Sequence, residues 1–178
     1  MEHHEPTTAD LRQAIRNIPD FPQPGIQFKD ITPVLADARL FAASIDRLTE
    51  GFRPGDVDAI IGIDARGFIF AAAAALKLQA GFVPIRKKGK LPYTTYEQQY
   101  ALEYGTNTIA IHTDALQPGR RVLLIDDLLA TGGTAAAAAQ LLDKMGVKIL
   151  CINFLIELSF LHGREKLRGR EVTSVIVF

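Results

Sequence analysis

Twice in this chain a short, unbroken apolar run gives way to a small-residue turn and then to an alanine-rich stretch of helical length. The first run is AIIGI at 59–63, followed by DARG and the segment 68–78; the second is VLLI at 122–125, followed by DDLLATG and the segment 133–145. A continuous apolar run of four or five residues suits a strand buried on both faces. Strand, helix and strand in succession require crossovers, and crossovers give parallel strands with helices on the faces of the sheet. Runs at 82–85, 147–156 and 172–177 supply further strands, and Gly146 stands where the second helix needs a C-terminal cap. The pattern predicts an α/β fold with a central parallel sheet flanked by helices.

Composition narrows the class. The 178 residues are 48% apolar and 22% charged, enough for one packed domain over 1–178 without disulfide staples. Lysine plus arginine equals aspartate plus glutamate at 20 each, so no general affinity for nucleic acid is expected. The single cysteine, Cys151, cannot form an internal disulfide, which points to a reducing, cytoplasmic setting. The longest apolar run, 68–76, is nine residues, and a bilayer needs about 20, so no membrane span is expected. Residues 1–10 are polar and acidic, unlike a secretory signal.

Toward the N-terminus, Leu11, Ile15 and Ile18 recur at helical spacing, with Thr8 as N-cap and Pro19 as the stop. Pro19, Pro22, Pro24 and Gly25 then predict an ordered surface loop, and Phe41, Ile45, Leu48 and Phe52 a second helix. Residues 86–106 keep no period and carry Arg86, Lys87, Lys88 and Lys90 at one end. So long a loop in a small domain is usually functional, and it reads as a mobile hairpin or lid.

The chemistry concentrates at 122–134, VLLIDDLLATGGT. Glycines at 132 and 133 let backbone approach an anion, and the first amides of the following helix lack intrahelical partners. The helix dipole and the Thr131 and Thr134 hydroxyls add to this pull on a phosphate. Helix starts take such residues for stability alone, so the turn by itself leaves a purely structural reading open. The preceding pair, Asp126 and Asp127, argues for more. Adjacent carboxylates repel, and they make sense as acceptors for the vicinal hydroxyls of a ribose, helped by a divalent cation. The turn lacks the Gly-Lys-Ser/Thr ending of a Walker loop and is not a GxGxxG dinucleotide turn.

This stretch resembles the phosphoribosyl-diphosphate signature of type I phosphoribosyltransferases, in the form carried by members that act on adenine. The resemblance extends over about residues 8–166. It implies that fold, with a small N-terminal hood (1–36) and a flexible lid (86–106). It implies transfer of a phosphoribosyl group to adenine, giving AMP and diphosphate in purine salvage. Asp126 and Asp127 would hold the ribose diol, and Ala130, Thr131, Gly132, Gly133 and Thr134 the 5-phosphate. Mg²⁺ would ride mainly on the substrate's own oxygens, with the two aspartates reaching it through water.

Other segments are similar to the same family. GIDARGF at 62–68 matches its diphosphate loop, with Arg66 as the cation and Asp64, Ala65 and Gly67 shaping the turn. An arginine at a strand-to-helix turn can fork onto phosphate oxygens. Residues 21–34 match the adenine-recognition segment: Phe28 would stack on the purine while backbone at Gln27 and Lys29 reads its edge. Lys29 stands where many relatives have arginine, which leaves a main-chain contact intact. RKKGKLP at the start of the lid and YALEYG at its end match the catalytic loop. Arg86 and Lys90 would neutralise the departing diphosphate, with Tyr104 against substrate and Glu103 near the base, for proton transfer or purine binding. Relatives often insert the cation equivalent to Arg86 into a partner's site, which implies a homodimer.

Lys87 and Lys88 read as solvated charges, His112 and His162 lack catalytic neighbours, and Cys151 reads as a small buried side chain. Two alternatives stay open: a type I transferase for another base, and a non-catalytic nucleotide sensor.

Overall fold

The computed structural model describes residues 5–101 and 105–178. The chain falls into two compact units, 1–47 and 48–178.

In the first unit, α1 (Thr8–Ala14) starts from a capping box. Thr7 Oγ1 accepts from the Asp10 amide, and the Asp10 carboxylate accepts from the Thr7 amide at 2.7 Å. The N-cap is therefore Thr7, one residue before the expected Thr8. The helix also stops early. Ile15 is extended, and Arg16–Ile18 forms β1, paired antiparallel with β2 (Phe28–Asp30). A residue before proline is pushed out of helical geometry, so Ile18 cannot close the helix that its spacing advertises. An ion pair of 2.7 Å from Arg16 to Asp30 holds the ribbon. Two helices follow, α2 (Thr32–Ala36) and α3 (Ala38–Leu48).

The second unit is built on a seven-stranded sheet. Along the chain come β3 (Ala59–Ile63), α4 (Gly67–Leu78), β4 (Gly81–Lys87), β5 (Thr95–Ala101) and β6 (Thr106–His112). After these come β7 (Arg121–Leu129), α5 (Gly133–Lys144), β8 (Lys148–Glu157), two 3-10 turns (Ser159–Leu161 and Gly163–Leu167) and β9 (Val172–Val177). The strand order is β5-β6-β4-β3-β7-β8-β9. The central β3 is buried at every position, as its unbroken apolar run requires. Ile61, Leu124, Ile152, Leu141 and Leu142 pack in its core.

The sheet is mixed, which corrects the expectation of a parallel one. Strands β4, β3, β7, β8 and β9 are parallel, whereas β6 pairs antiparallel with both β4 and β5. Only four residues separate β5 from β6. A connection that short permits a hairpin but no crossover. The stretch read as a lid thus forms a β-arm at the sheet's edge. Its outer strand, TYEQQYA, mixes half-buried and exposed positions and carries no apolar run to announce it.

Candidate active site

Strands β3 and β7 lie side by side, with Gly62 opposite Ile125, so the loops that leave them emerge together at the carboxyl end of the sheet. Open α/β sheets bind their ligands at this edge. Asp64 to Arg66 leave β3 and Gly67 opens α4; β7 runs past the expected 122–125 through Asp126 and Asp127 to Leu129, and residues 130–132 lead to Gly133 at the start of α5.

The two loops touch. A Cβ added at Gly67, the first residue of α4, would collide with Asp126 Oδ1, so only glycine lets helix and carboxylate approach this closely. Asp126 Oδ1 accepts from the Asp127 amide at 2.9 Å. Arg66 Nη2 stands 2.7 Å from Asp127 Oδ2. The contact pairs charges without hydrogen-bond geometry, and Oδ2 is the one buried side-chain polar atom among the described residues that has no donor. Burial, and then the charge of Asp127, hold the Asp126 carboxyl well above the usual carboxylate range. Burial raises Asp127 too, against the opposing pull of Arg66. Groups that donate hydrogen bonds into this pair favour its ionised form.

At α5 the N-cap is Gly132, at φ +77°, and no side chain caps the helix. The first-turn amides, where the sequence leads one to expect an anion, lack intrahelical partners. Thr131 is exposed beside them. The Thr134 hydroxyl donates to Tyr100 OH on β5 at 3.2 Å, and Lys144 Nζ donates to Gln98 Oε1 at 2.7 Å, which ties the β-arm to α5.

Arg86 lies at the end of β4. Its Nε donates to Asp64 Oδ2 at 3.0 Å and its Nη1 to the Lys90 carbonyl at 3.1 Å. Asp64, in the loop after β3, and the base of the arm are thereby joined within one chain. The peptide between Asp64 and Ala65 is cis. Lys88 pairs with Glu97 at 2.7 Å on the arm's surface. Glu103 and Tyr104 lie outside the described residues.

In the first unit, Phe28 meets Phe21 edge to face, with ring centroids 5.1 Å apart. Asn17 Nδ2 donates to Gln27 Oε1 at 2.7 Å, and Lys29 Nζ donates to Asn17 Oδ1 at 3.2 Å. Partial burial, and then nearby Arg12, lower the Lys29 ammonium from its ordinary value.

One participant escaped the sequence reading. Gly163, at the start of the second 3-10 turn, lies against the loop that joins β7 to α5. A Cβ on Gly132 would strike the Gly163 carbonyl, and a Cβ on Gly163 would strike the Ala130 carbonyl. No local motif marks this glycine, because its partner lies some thirty residues earlier in the chain.

Comparison with known proteins decides the family. The phosphoribosyl transferase domain family matches residues 26–175. An adenine phosphoribosyltransferase of Chloroflexus aurantiacus is 57% identical over 97% of this chain and 99% of its own length. One from Acidothermus cellulolyticus is 59% identical over 91% and 92%. The chain belongs to the adenine phosphoribosyltransferase family. The solved adenine phosphoribosyltransferase of Thermoanaerobacter pseudethanolicus superposes with a TM-score of 0.91 at 50% identity, over 97% of this chain and all of that one. The Saccharomyces cerevisiae enzyme, solved with an imino-altritol bisphosphate and adenine, gives 0.89 at 40% identity, over 94% and 97%. The type I phosphoribosyltransferase fold therefore holds over nearly all of the chain, with the antiparallel β5–β6 arm as part of its mixed sheet.

Proposed function

We propose that this member of the adenine phosphoribosyltransferase family joins adenine to phosphoribosyl diphosphate, forming AMP and releasing diphosphate. The observation that carries this reading is the meeting of Arg66 with Asp127 where β3 and β7 end. A cation suited to diphosphate and a carboxylate suited to a ribose diol stand one contact apart, as an activated ribosyl diphosphate requires.

In the proposed mechanism, Arg66 leaves Asp127 for the diphosphate oxygens. Asp127 and Asp126 then accept hydrogen bonds from the ribose hydroxyls, which offsets the cost of their buried charge. The amides at residues 131–134 hold the 5-phosphate. The C1′–O bond breaks and its electron pair leaves with diphosphate, opposite Arg66, Arg86 and Lys90. The carboxylates favour positive charge at C1′ while adenine N9 forms the new bond. Phe28 stacks on the base, backbone at Gln27 and Lys29 reads its edge, and Glu103 takes the proton that adenine loses.

Magnesium fits this donor set. Asp126 and Asp127 offer hard carboxylate oxygens, one of them an orphaned buried Oδ2. The substrate's phosphates would be its principal ligands, with the two aspartates reaching it through water. When bound, the ion screens charge on the diphosphate.

The same reading makes the protein a cytoplasmic homodimer. Helix α4 is apolar nearly all round (GFIFAAAAALKL), and Leu76 and Ile69 on its outer face are 84% and 41% exposed. A helix of that kind is normally covered. No helix among the described residues is long and apolar enough to cross a membrane.

Purified protein incubated with phosphoribosyl diphosphate and adenine, hypoxanthine or orotate tests the proposal. AMP with equimolar diphosphate, from adenine alone, is the expected result. Preference for an oxo-base overturns the base assignment, and failure with every base overturns the catalytic reading.

A further inference from the structure

The amides of a phosphate loop cannot fully neutralise a phosphate dianion, and the VLLIDDLLATGGT stretch contains no cation. The structure brings one from elsewhere. Lys166 Nζ lies 3.8 Å from where a Cβ on Gly133 would sit, next to the first residue of α5. The same point is bounded by the Tyr100 ring and the Ala101 carbonyl, at 3.5 and 3.6 Å. Lys166 is exposed and makes no ion pair or hydrogen bond among the described residues.

That position is electrostatically unfavourable by itself. The N-terminal end of a helix carries partial positive charge, so a lysine there is repelled unless an anion stands between them. A flexible ammonium has many solvated alternatives, and none of them brings it toward like charge.

The turn that carries Lys166 is also firmly anchored. Arg164 Nε donates to both oxygens of buried Glu157, at 2.8 and 2.9 Å, and its Nη1 to the Val172 carbonyl at 2.9 Å. Ser174 Oγ donates to Glu157 Oε2 at 2.6 Å. Glu157 sits opposite Leu129 on β7, the strand that feeds the phosphate loop. Arg164, foremost, holds the Glu157 carboxyl below its ordinary range in spite of burial. Gly163 presses on Ala130 and Gly132 from one end of the turn, and Leu167 is 1% exposed at the other. Between these fixed points the Lys166 side chain reaches toward the helix start.

We infer that Lys166 is a binding residue for the 5-phosphate, presented to the α5 N-terminus by the turn at Gly163–Leu167. The inference rests on the phosphoribosyl reading above. It adds a cation from outside the signature loop and gives the Glu157–Arg164 pair a positioning role.

Titration of wild type, Lys166→Gln and Lys166→Arg with AMP and with adenosine tests it, alongside steady-state kinetics. Losing a hydrogen bond to a charged group should weaken AMP binding and raise the KM for phosphoribosyl diphosphate about tenfold or more. Adenosine affinity and the KM for adenine stay unchanged, and Lys166→Arg recovers most of the loss. Equal weakening of AMP and adenosine, or no change in either, overturns the assignment. A wild type that fails to bind AMP overturns the phosphoribosyl reading itself, an outcome separate from the other two. Because Lys166 is exposed, unchanged melting temperatures are expected to show that each variant folds.

Discussion

Arg66 Nη2 and Asp127 Oδ2 stand 2.7 Å apart, and on the proposed function this contact joins a cation for diphosphate to an acceptor for the ribose diol. On the proposed function, binding exchanges this internal ion pair for an ion pair between Arg66 and diphosphate and for hydrogen bonds from the ribose hydroxyls to Asp127. Replacing Asp127 with asparagine removes the charged acceptor and should lower kcat/KM for phosphoribosyl diphosphate by roughly 10²–10³-fold. Arg66→Ala should cost a similar factor. Because the two act on one another, the double variant should lose clearly less than the product of the single losses in steady-state kinetics. A multiplicative loss would show that the pair does not work as a unit.

Gly132 and Gly163 form a close backbone crossing under the phosphate loop. Gly163→Ala would push its methyl group into the Ala130 carbonyl, and neither backbone can yield as a flexible side chain would. Overpacking of this kind costs about 1–3 kcal/mol. The melting temperature should fall and the KM for phosphoribosyl diphosphate should rise, while adenine affinity changes little. Wild-type behaviour in both assays would count against the crossing.

What could be read from the sequence was whatever local chemistry encodes. Strand β3 and residues 122–125 of β7 are unbroken apolar runs, and glycine begins both α4 and α5, so the positions of Arg66, Asp126 and Asp127 along the chain were legible, although β7 runs on through both aspartates to Leu129. The edge strand β5 was not legible. Its polar residues gain a strand's geometry only by pairing with β6, seven residues against seven. Ile15 and Ile18 gave a helical period that Pro19 overrides, and Ile18 pairs with Phe28 instead. Gly163 and Lys166 reach the phosphate loop through tertiary packing alone, which no spacing within 122–134 can express.

Acid should weaken the join between β3 and β7. Asp58 Oδ2 accepts from the Arg121 amide at 2.7 Å and from its Nε at 3.3 Å, where β3 and β7 begin. Hydrogen bonds from the Arg121 side chain, then from its backbone, lower the Asp58 carboxyl to about 2. A depressed pKa means that the folded state binds the proton less tightly than the unfolded chain does. The stabilisation is thus complete above the ordinary carboxylate value and is lost as pH falls through about 2. Asp58→Asn should melt below wild type at neutral pH, and the gap should close as the pH drops below the ordinary carboxylate range. A gap independent of pH would assign the effect to packing.

Helix α4 supplies the last test. Ile69, Ala72, Ala73 and Leu76 recur at helical spacing on one side, and Phe82 on β4 is 37% exposed as well. Fully burying a leucine contributes about 1.5–3 kcal/mol, and a two-fold interface counts each residue twice. A second copy packed over this face would therefore gain substantially from Leu76 alone. Leu76→Lys places like charges opposite one another across the axis and should convert a dimer to a monomer by light scattering at micromolar concentration. The wild-type melting temperature should rise with protein concentration, and that of the variant should not. A variant that keeps the dimeric mass would move the interface to another face of the molecule.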